Sequence, residues 1–166
     1  MKETLLTVLE NTRLADGIYR LRLAGDTSAI TAPGQFVNLK LSGFFLRRPI
    51  SVCDWENGEV TLIYKVLGHG TEAMTGMAVG TALDVLTGLG NGFDLSRSGE
   101  HPLLVGGGVG IPPLYGLARR LTAQGKRVTA VLGFNRKSEI FLAEEFRALG
   151  AEVVIATADG SVGLKD

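Results

Sequence analysis

The chain has 166 residues, of which 45% are hydrophobic, enough for one large domain or two small ones with a sizeable core. Its 17 basic and 17 acidic residues cancel to a formal charge of zero, so no overall positive field exists to attract nucleic acid or an anionic membrane. A single cysteine excludes an intrachain disulfide and cannot by itself hold zinc or an iron–sulfur cluster.

Six short runs rich in branched and aromatic residues alternate with turns before residue 100. They cover residues 4–14, 18–25, 35–41, 47–54, 59–67 and 81–88. Runs at this close spacing predict an antiparallel barrel or sandwich. Asp16-Gly17 and Asn57-Gly58 each lie between two consecutive runs, where hairpin turns are expected.

Two adjacent arginines followed by a proline stand in the fourth run, within FFLRRPISVCD. On a strand, Arg47 and Arg48 point to opposite faces, so one can have a special role while the other is an ordinary solvated charge. Pro49 cannot donate to a strand ladder and so predicts an edge strand or a bulge, with backbone open to a flat ligand. For either arginine taken alone, simple exposure to water at a barrel rim is the favoured interpretation.

The fifth run continues into a glycine-containing turn, LIYKVLGHGTEAM, over residues 62–74. Gly68, Gly70 and Thr71 predict a turn that enters a short helix. Backbone N–H groups and a hydroxyl at such a turn can hold phosphate oxygens.

After residue 100 the pattern changes to alternating strands and helices. The expected order is a strand at 101–107, a helix at 112–125, a strand at 126–134, a helix at 138–150 and a strand at 151–157. This order is typical of a parallel sheet with crossover helices. Residues 88–99 then form the join between two domains, which we place at 1–98 and 99–166.

The first of these helices has a clear apolar face. Its spacing directs four residues to the core and three polar residues to solvent, and Gly125 ends it. The core positions are Leu114, Leu117, Ala118 and Leu121; the solvent positions are Arg119, Arg120 and Gln124.

A glycine-rich stretch, LLVGGGVGIPPLYGLA, joins the first strand to this helix. It brings backbone N–H groups and the positive end of the helix dipole to one point, where a pyrophosphate can bind. Pro112 and Pro113 suit the first helical turn. The dinucleotide fingerprint is incomplete, because Ile111 stands where a third glycine belongs. The alternative is that the glycines only allow helix and strand to pack closely.

Six segments in the same order resemble the ferredoxin-reductase superfamily: RPIS, IYKV, GHGT, GLGNGF, LLVGGGVGIPPL and GFNRKSEIFLAEEF. Within it, the chain from about residue 5 onward is most similar to the family of electron-transfer subunits of type B (NAD-dependent) dihydroorotate dehydrogenase. The resemblance implies an N-terminal antiparallel six-stranded β-barrel that binds FAD. An incomplete Rossmann-like parallel α/β nucleotide-binding domain is expected to follow it.

The resemblance also implies roles for particular residues. FAD would be held by Arg48, Pro49, Ile50 and Ser51 at the flavin and pyrophosphate, by Ile63, Tyr64 and Lys65 along the isoalloxazine and ribityl chain, and by Gly70 and Thr71 at a phosphate. NAD would be received by Gly106, Gly107, Gly108 and Gly110. A guanidinium suits a pyrophosphate because its planar fork makes two charge-assisted hydrogen bonds. No catalytic residue or metal ligand is predicted, since hydride transfer is the chemistry of the cofactors.

Two departures from the family stand out. Its members carry a cysteine-rich segment for a [2Fe-2S] cluster, whereas this chain has only Cys53. The chain also stops at TADGSVGLKD, after the expected third parallel strand, so the sequence predicts a fragment or truncated product. An incomplete sheet exposes a strand edge, which a neighbour or a second copy would cover.

The implied function is electron transfer in pyrimidine biosynthesis. Electrons would pass from a dihydroorotate-oxidising FMN subunit, through [2Fe-2S] and FAD, to NAD, in a heterotetramer or with a homodimer of this chain. Alternatives are a flavin subunit of a hydrogenase or sulfide dehydrogenase, and a non-catalytic nucleotide-binding module. Arg136 and Lys137 would suit the 2′-phosphate of NADP, whereas the resemblance favours NAD. Without a long apolar run or a signal peptide, a cytoplasmic protein is expected.

Overall fold

The computed structural model describes residues 1–165 and begins with a closed antiparallel barrel. Its strands lie around the barrel in the order β1-β2-β5-β4-β3-β6. In chain order they are β1 (Lys2–Ala15), β2 (Ile18–Ala24), β3 (Phe36–Leu39), β4 (Arg48–Glu56), β5 (Glu59–Lys65) and β6 (Ala82–Leu89). The six predicted runs therefore form the predicted barrel, in which every strand pairs with a neighbour on each side over at least part of its length.

Alternating side chains fill the barrel interior. Leu21 and Leu23 of β2 and Val60 and Leu62 of β5 are each fully buried, as the period of two along a strand requires. Both predicted hairpin turns are present, with φ +69° at Gly17 and, in the second turn, +52° and +76° at Asn57 and Gly58. These left-handed conformations are the reason for glycine and asparagine there.

A parallel sheet with helices follows the barrel. Its strand order is β10-β9-β8-β7, from β7 (Leu103–Gly107), β8 (Thr129–Phe134), β9 (Glu152–Thr157) and β10 (Leu164–Lys165). The helices are α1 (His69–Met74), within the barrel sequence, and α2 (Pro112–Ala123) and α3 (Ala143–Ala148). None of the helices in residues 1–165 is long and apolar enough to cross a membrane.

The end of the chain differs from the expectation. A fourth short strand, β10, pairs with β9, so the third parallel strand is not the last, and one edge of the sheet is partly covered from within the chain. A side-chain hydrogen bond supports the turn between β9 and β10, because the Thr157 hydroxyl donates to the carbonyl of Val162 at 2.7 Å. The predicted second domain ends at Asp166, which lies outside the residues that the structure describes.

The helix predicted over 138–150 is wrong in its first half. Residues 137–139 form a 3₁₀ turn, Leu142 is left-handed with φ +65°, and only α3 is helical. Between them Phe141 is buried and meets Phe134 edge-on, with 5.6 Å between the ring centroids. The aromatic pair is worth more than the helical propensity of this short stretch, so tertiary packing overrides the local pattern.

The apolar face of α2 is confirmed, but part of its polar face is not solvated. Leu114, Leu117 and Leu121 are buried under the helix, and Gln124 is exposed, as expected. Arg119 and Arg120 instead reach β4 of the barrel, where both contact Asp54. The prediction failed because helical periodicity identifies one buried face, whereas α2 lies between the sheet and the barrel.

Candidate functional site

The ladder between β4 and β5 opens at one end of the barrel. Within residues 1–165 the backbone pairs between these strands end at Val52 and Leu62. Beyond that point Arg48–Ser51 pair with β3 and Ile63–Lys65 pair with β2, so the facing edges of β4 and β5 have no ladder partner. Unpaired strand edges present N–H and C=O groups to a bound molecule. This opening can therefore receive a flat, hydrogen-bonding ring system.

Pro49 lies at this opening, although β4 is not an edge strand. It pairs with Asn38 of β3, and β4 is not an edge strand of the closed barrel, although its β5-facing side is unpaired at this position, as the proline predicted. A bulge also occurs in β4, but at the register shift between Val52 and Asp54 and not at Pro49 itself. The bulge bends β4 just before the ladder opens.

The Arg48 guanidinium is held at the mouth of the opening by neutral groups. Its Nη1 donates to the carbonyl of Leu46 at 2.6 Å, and its Cζ lies 5.1 Å from the ring centroid of Phe44. None of the ion pairs formed within residues 1–165 includes Arg48. Its remaining N–H groups are therefore available to an anion from outside the chain.

Arg47 has a structural role instead of being the solvated charge that the sequence predicted. Its Nη2 lies 2.8 Å from Glu3 Oε1 and 3.0 Å from Asp84 Oδ1, and its side chain is only 22% exposed. These carboxylates belong to β1 and β6, which neighbour each other across the barrel closure. Strand alternation correctly placed the two arginines on opposite sides of the chain. It could not show that Glu3 and Asp84 lie on the Arg47 side, because both belong to other strands.

The start of α1 packs directly on Arg48. Gly70 is buried, and a Cβ built on it would lie 2.6 Å from Nη2 of Arg48, so only glycine leaves room for the guanidinium. Thr71 Oγ1 accepts from the N–H of Leu67 at 2.8 Å and lies 3.2 Å from the carbonyl of Gly68, to which it donates. The hydroxyl is thus engaged within the turn. What the turn offers an anion is the backbone N–H groups of its first residues, which lack helical partners.

The three predicted residues on β5 occupy three different surroundings. Tyr64 lies inside the barrel core. Ile63 instead belongs, with Cys53 and Ile18, to a second hydrophobic core that the barrel shares with the helices and strands of the α/β half. Lys65 lines a cleft between the barrel and the parallel sheet. Because the first two side chains are buried, these residues can contribute mainly backbone groups to the β4–β5 opening.

Asn11 holds Tyr64 in place, and the sequence analysis missed it. Its Oδ1 accepts from the Tyr64 hydroxyl at 2.9 Å, while its Nδ2 donates to the carbonyl of Met74 at 2.7 Å. One amide therefore joins β5 to the end of α1. An asparagine in the middle of a strand is unusual, and this was the signal available in the sequence.

Burial raises the pKa of Tyr64 to about 12, while the hydrogen bond with Asn11 acts in the opposite direction. The folded state thus favours the neutral phenol, whose contribution to stability is complete below pH ~10 and is lost as the pH rises from ~10 through ~12. We expect the free energy of unfolding to fall across this range by about 2 kcal/mol more in the wild type than in Tyr64→Phe. Urea titrations at several pH values measure the difference. Identical slopes for the two proteins would contradict the assignment, since Tyr115, whose pKa burial also raises, remains in both.

The glycines at the end of β7 and in the turn that follows it have two different surroundings. A Cβ on Gly106 would lie 2.7 Å from Leu114 Cδ1 and 3.2 Å from the carbonyl of Gly110, so this glycine is needed for close packing of strand and helix. Gly107 and Gly108 line the cleft, and Gly108 has φ +51°. Nothing lies within 4 Å of a Cβ built on Gly110. The packing alternative therefore applies to Gly106, while Gly107 and Gly108 line the cleft.

The cleft has a volume of about 310 Å³ and lies at the carboxyl ends of the parallel strands. Ligands of open α/β sheets bind at this position. The barrel contributes Asp16, Ile18 and Lys65, and the sheet contributes residues that include Gly107, Gly108, Gly133, Asn135 and Glu139. Lys65 is the last residue of the open part of β5, so the cleft and the β4–β5 opening adjoin through one strand.

Asp16 connects the two halves of the molecule at this cleft. Its N–H donates to the carbonyl of Ser138 at 3.1 Å. A hydrogen bond from Ser138 and the charges of Arg13 and Arg136 lower the pKa of its carboxyl group, which stays ionised. The sequence analysis identified Asp16 only as a hairpin residue, because nothing local shows what the turn touches.

Cys53 is buried where β4 meets the α/β half of the molecule. It is 2% exposed, and burial, together with the charge of Asp54, raises the pKa of its thiol. A buried thiol with a raised pKa is mostly protonated and therefore a poor nucleophile. Within residues 1–165 no group of histidine, cysteine and carboxylate residues could hold a metal ion.

The chain is similar to named proteins over nearly its whole length. It is 46% identical to the dihydroorotate dehydrogenase B (NAD(+)) electron transfer subunit of Bacillus pumilus, with 99% of this chain and 67% of that protein covered. It is 42% identical to the protein of the same name in Fusobacterium nucleatum, with 96% of this chain and 64% of that protein covered. The chain thus spans about two thirds of the length of these relatives. No family model matches it.

Solved structures agree on the fold. A chain of the NADH-dependent reduced ferredoxin–NADP oxidoreductase superposes with a TM-score of 0.86 at 31% identity, covering 98% of this chain and 59% of that one. Phthalate dioxygenase reductase superposes with a TM-score of 0.80 at 21% identity, covering 95% and 52%. The second likeness concerns the fold alone. In both cases the match covers only part of a longer chain.

Proposed function

Because the chain belongs to the family of dihydroorotate dehydrogenase B (NAD(+)) electron transfer subunits, we propose that it binds FAD on its barrel and NAD in its cleft. The observation that carries this proposal is the Arg48 guanidinium, which stands at the mouth of the β4–β5 opening without a carboxylate partner within residues 1–165. When bound, FAD and NAD exchange a hydride, and the protein supplies their position and surroundings.

The residues present fit FAD. The flavin ring would lie in the opening, where Pro49, Ile50 and Ser51 face Ile63, Tyr64 and Lys65 across unpaired strand edges. Arg48 would bind the pyrophosphate, with backbone N–H groups of Gly70 and Thr71 completing the phosphate site. The space that Gly70 leaves for the guanidinium supports this arrangement. In this proposal residues 1–98 form the FAD domain.

The cleft fits NAD. Gly107 and Gly108 would let the backbone approach the pyrophosphate, with Gly106 and Gly110 shaping the loop. Lys65, on the strand that borders the opening, would lie between the two cofactors. In this proposal the nucleotide domain comprises residues 99–166.

The charges beside the cleft support NAD over NADP. Arg136 Nε lies 3.7 Å from Glu139 Oε1, and its charge also acts on Asp16 and Asp159. The contact with Glu139 offsets part of the positive charge that Arg136 could offer to a 2′-phosphate. Arg136 and Lys137 are therefore not proposed as a phosphate site.

The relatives are named as electron transfer subunits, so the proposed activity includes a partner subunit. We propose that electrons reach this FAD from a dihydroorotate-oxidising FMN subunit through a [2Fe-2S] cluster and leave as NADH, in a heterotetramer. The cluster would be held outside these residues, because the only thiol, Cys53, is buried in the core. A homodimer of this chain remains the alternative assembly.

A titration of the purified chain with FAD tests the proposal. We expect saturable binding, seen as quenching of flavin fluorescence, and weaker binding of FMN, which has no pyrophosphate for Arg48. A chain that binds neither flavin would contradict the proposal and would favour the non-catalytic module. Equal affinities for FAD and FMN would contradict the assigned pyrophosphate site while leaving a flavin site in place.

Gly70→Ala is expected to weaken FAD binding about tenfold with little loss of stability. The added methyl group would displace the guanidinium of Arg48, which is the end of a flexible side chain and can move without disturbing the fold. About 1.4 kcal/mol of a charge-assisted hydrogen bond corresponds to that factor. Gly68→Ala is the matched control, because nothing lies within 4 Å of a Cβ there. Equal affinities in the two variants would rule out the contact.

A further inference from the structure

Helix α2 packs against the strand that carries the flavin-site residues. A Cβ built on Gly116 would lie 2.7 Å from the carbonyl oxygen of Cys53. The backbone of β4 therefore occupies the space where a side chain at position 116 of the helix would lie. The N-terminus of α2 follows the glycine loop directly, since residues 108–110 form a 3₁₀ turn and Pro112 begins the helix. One helix therefore runs from the nucleotide loop to β4.

Four residues fasten this contact, and we refer to Asp54, Trp55, Arg119 and Arg120 as the Asp54 clasp. Nη2 of Arg119 donates to Asp54 Oδ1 at 3.0 Å, and its Nε lies 2.8 Å from Oδ2 as an ion contact. Nη1 of Arg120 donates to the same Oδ1 at 3.3 Å. The Arg120 guanidinium also lies over the indole of Trp55, with its Cζ 3.6 Å from the ring centroid.

The clasp is directional as well as attractive. The carboxylate of Asp54 is 19% exposed and faces two guanidinium groups from consecutive helical residues. A planar guanidinium against a carboxylate fixes orientation better than a point charge does. Arg120 adds a second constraint, because its guanidinium must stay over the face of the Trp55 indole ring. Apolar packing alone would permit the helix to slide or rotate on the strand.

The position of the clasp on β4 gives it a functional consequence. Arg48–Ser51 stand at one end of β4 and Asp54 stands a few residues further along the same strand. We propose that α2 is a rigid spacer between the nucleotide loop and β4, and that Asp54 is the positioning residue that sets the NAD cleft relative to the flavin opening. This inference rests on the proposed function for the identity of the two ligands, but the spacing itself can be measured without them.

Spin-label distances test the spacing in the full chain. Labels on Thr7→Cys of the barrel and Glu152→Cys of the sheet are both at exposed positions, and the buried Cys53 stays unlabelled. We expect a narrow distance distribution in the otherwise wild-type chain and a clearly broader or shifted one in Asp54→Asn. Glu144→Gln is the control, since it removes an exposed carboxylate paired with Arg147 and should leave the distribution narrow. An unchanged distribution in Asp54→Asn would overturn the inference.

Trp55 reports on the same contact by fluorescence. It is the only tryptophan in the chain, so its emission and its quenching by acrylamide follow the clasp directly. We expect greater quenching in Asp54→Asn and also in Arg119→Met, which keeps the aliphatic stem and serves if the first variant folds poorly. Quenching equal to that of the wild type in both folded variants would also count against the clasp.

Flavin binding and reduction separate this inference from the proposed function. We expect Asp54→Asn to retain its affinity for FAD, while NADH at saturation reduces the bound flavin roughly tenfold to a hundredfold more slowly, because small misplacements are costly. An equal rate in wild type and variant would overturn the positioning role and leave the proposed function intact. A wild type that takes up no FAD would contradict the proposed function, whatever the spin labels show. If FAD binds but NADH does not reduce it in the wild type, the spin-label distances test the positioning role: an unchanged distribution in Asp54→Asn overturns it, and a broadened or shifted one supports it.

Discussion

We expect Arg48→Ala to weaken FAD binding roughly a hundredfold, which corresponds to about 3 kcal/mol of binding free energy. Loss of a charge-assisted hydrogen bond to a phosphate has this magnitude. In the free protein the guanidinium contacts the Leu46 carbonyl, the Phe44 ring and the backbone of Gly70, none of which neutralises it. A pyrophosphate would supply the missing counter-charge. Loss of flavin fluorescence quenching in a titration measures the effect, and thermal unfolding without flavin should change little, since the side chain makes few structural contacts.

Arg47→Ala is the matched comparison, because it removes the neighbouring guanidinium. It should leave the affinity for FAD within a few-fold of the wild type and should instead lower stability by about 1–3 kcal/mol, since Glu3 and Asp84 lose their partner. If both variants bind FAD equally well, the pyrophosphate lies elsewhere. If Arg47→Ala is the variant that loses FAD, the roles of the two arginines are reversed.

Gly116→Ala is expected to destabilise the chain by about 1–3 kcal/mol, the usual cost of overpacking a well-packed site. This direction is opposite to the general rule, because alanine stabilises a helix interior by about 1 kcal/mol relative to glycine. The reason is that the methyl group would meet a backbone carbonyl, that of Cys53, at 2.7 Å, and a strand inside a barrel cannot easily shift. Urea unfolding measures the change.

Gly99→Ala provides the control for this substitution. Nothing lies within 4 Å of a Cβ built there, so its effect on the free energy of unfolding should stay within about 1 kcal/mol of zero. A stabilised Gly116→Ala variant would show that α2 stands further from β4 than the structure places it, and it would weaken the case for a rigid spacer.

Local patterns in the sequence were sufficient for the elements that depend on short-range chemistry. Alternation and the Asp16-Gly17 and Asn57-Gly58 turns predicted the barrel strands, because hairpins are set by residues adjacent in sequence. Helical spacing predicted the buried face of α2 and its end at Gly125, where φ is +80°. The pattern failed over residues 138–142, where the burial of Phe141 against Phe134 outweighs helical propensity.

The sequence by itself therefore determined the two architectures, the order of their elements and the residue types able to meet a dinucleotide. Only the tertiary structure decided which of two adjacent arginines has no carboxylate partner within residues 1–165, that Asp16 contacts Ser138, and that Arg119 and Arg120 face Asp54 instead of water. The physical reason is the same in each case. These contacts join residues far apart in the chain, and the partner that neutralises or orients a charge is fixed by how barrel and sheet pack together, which no local spacing encodes.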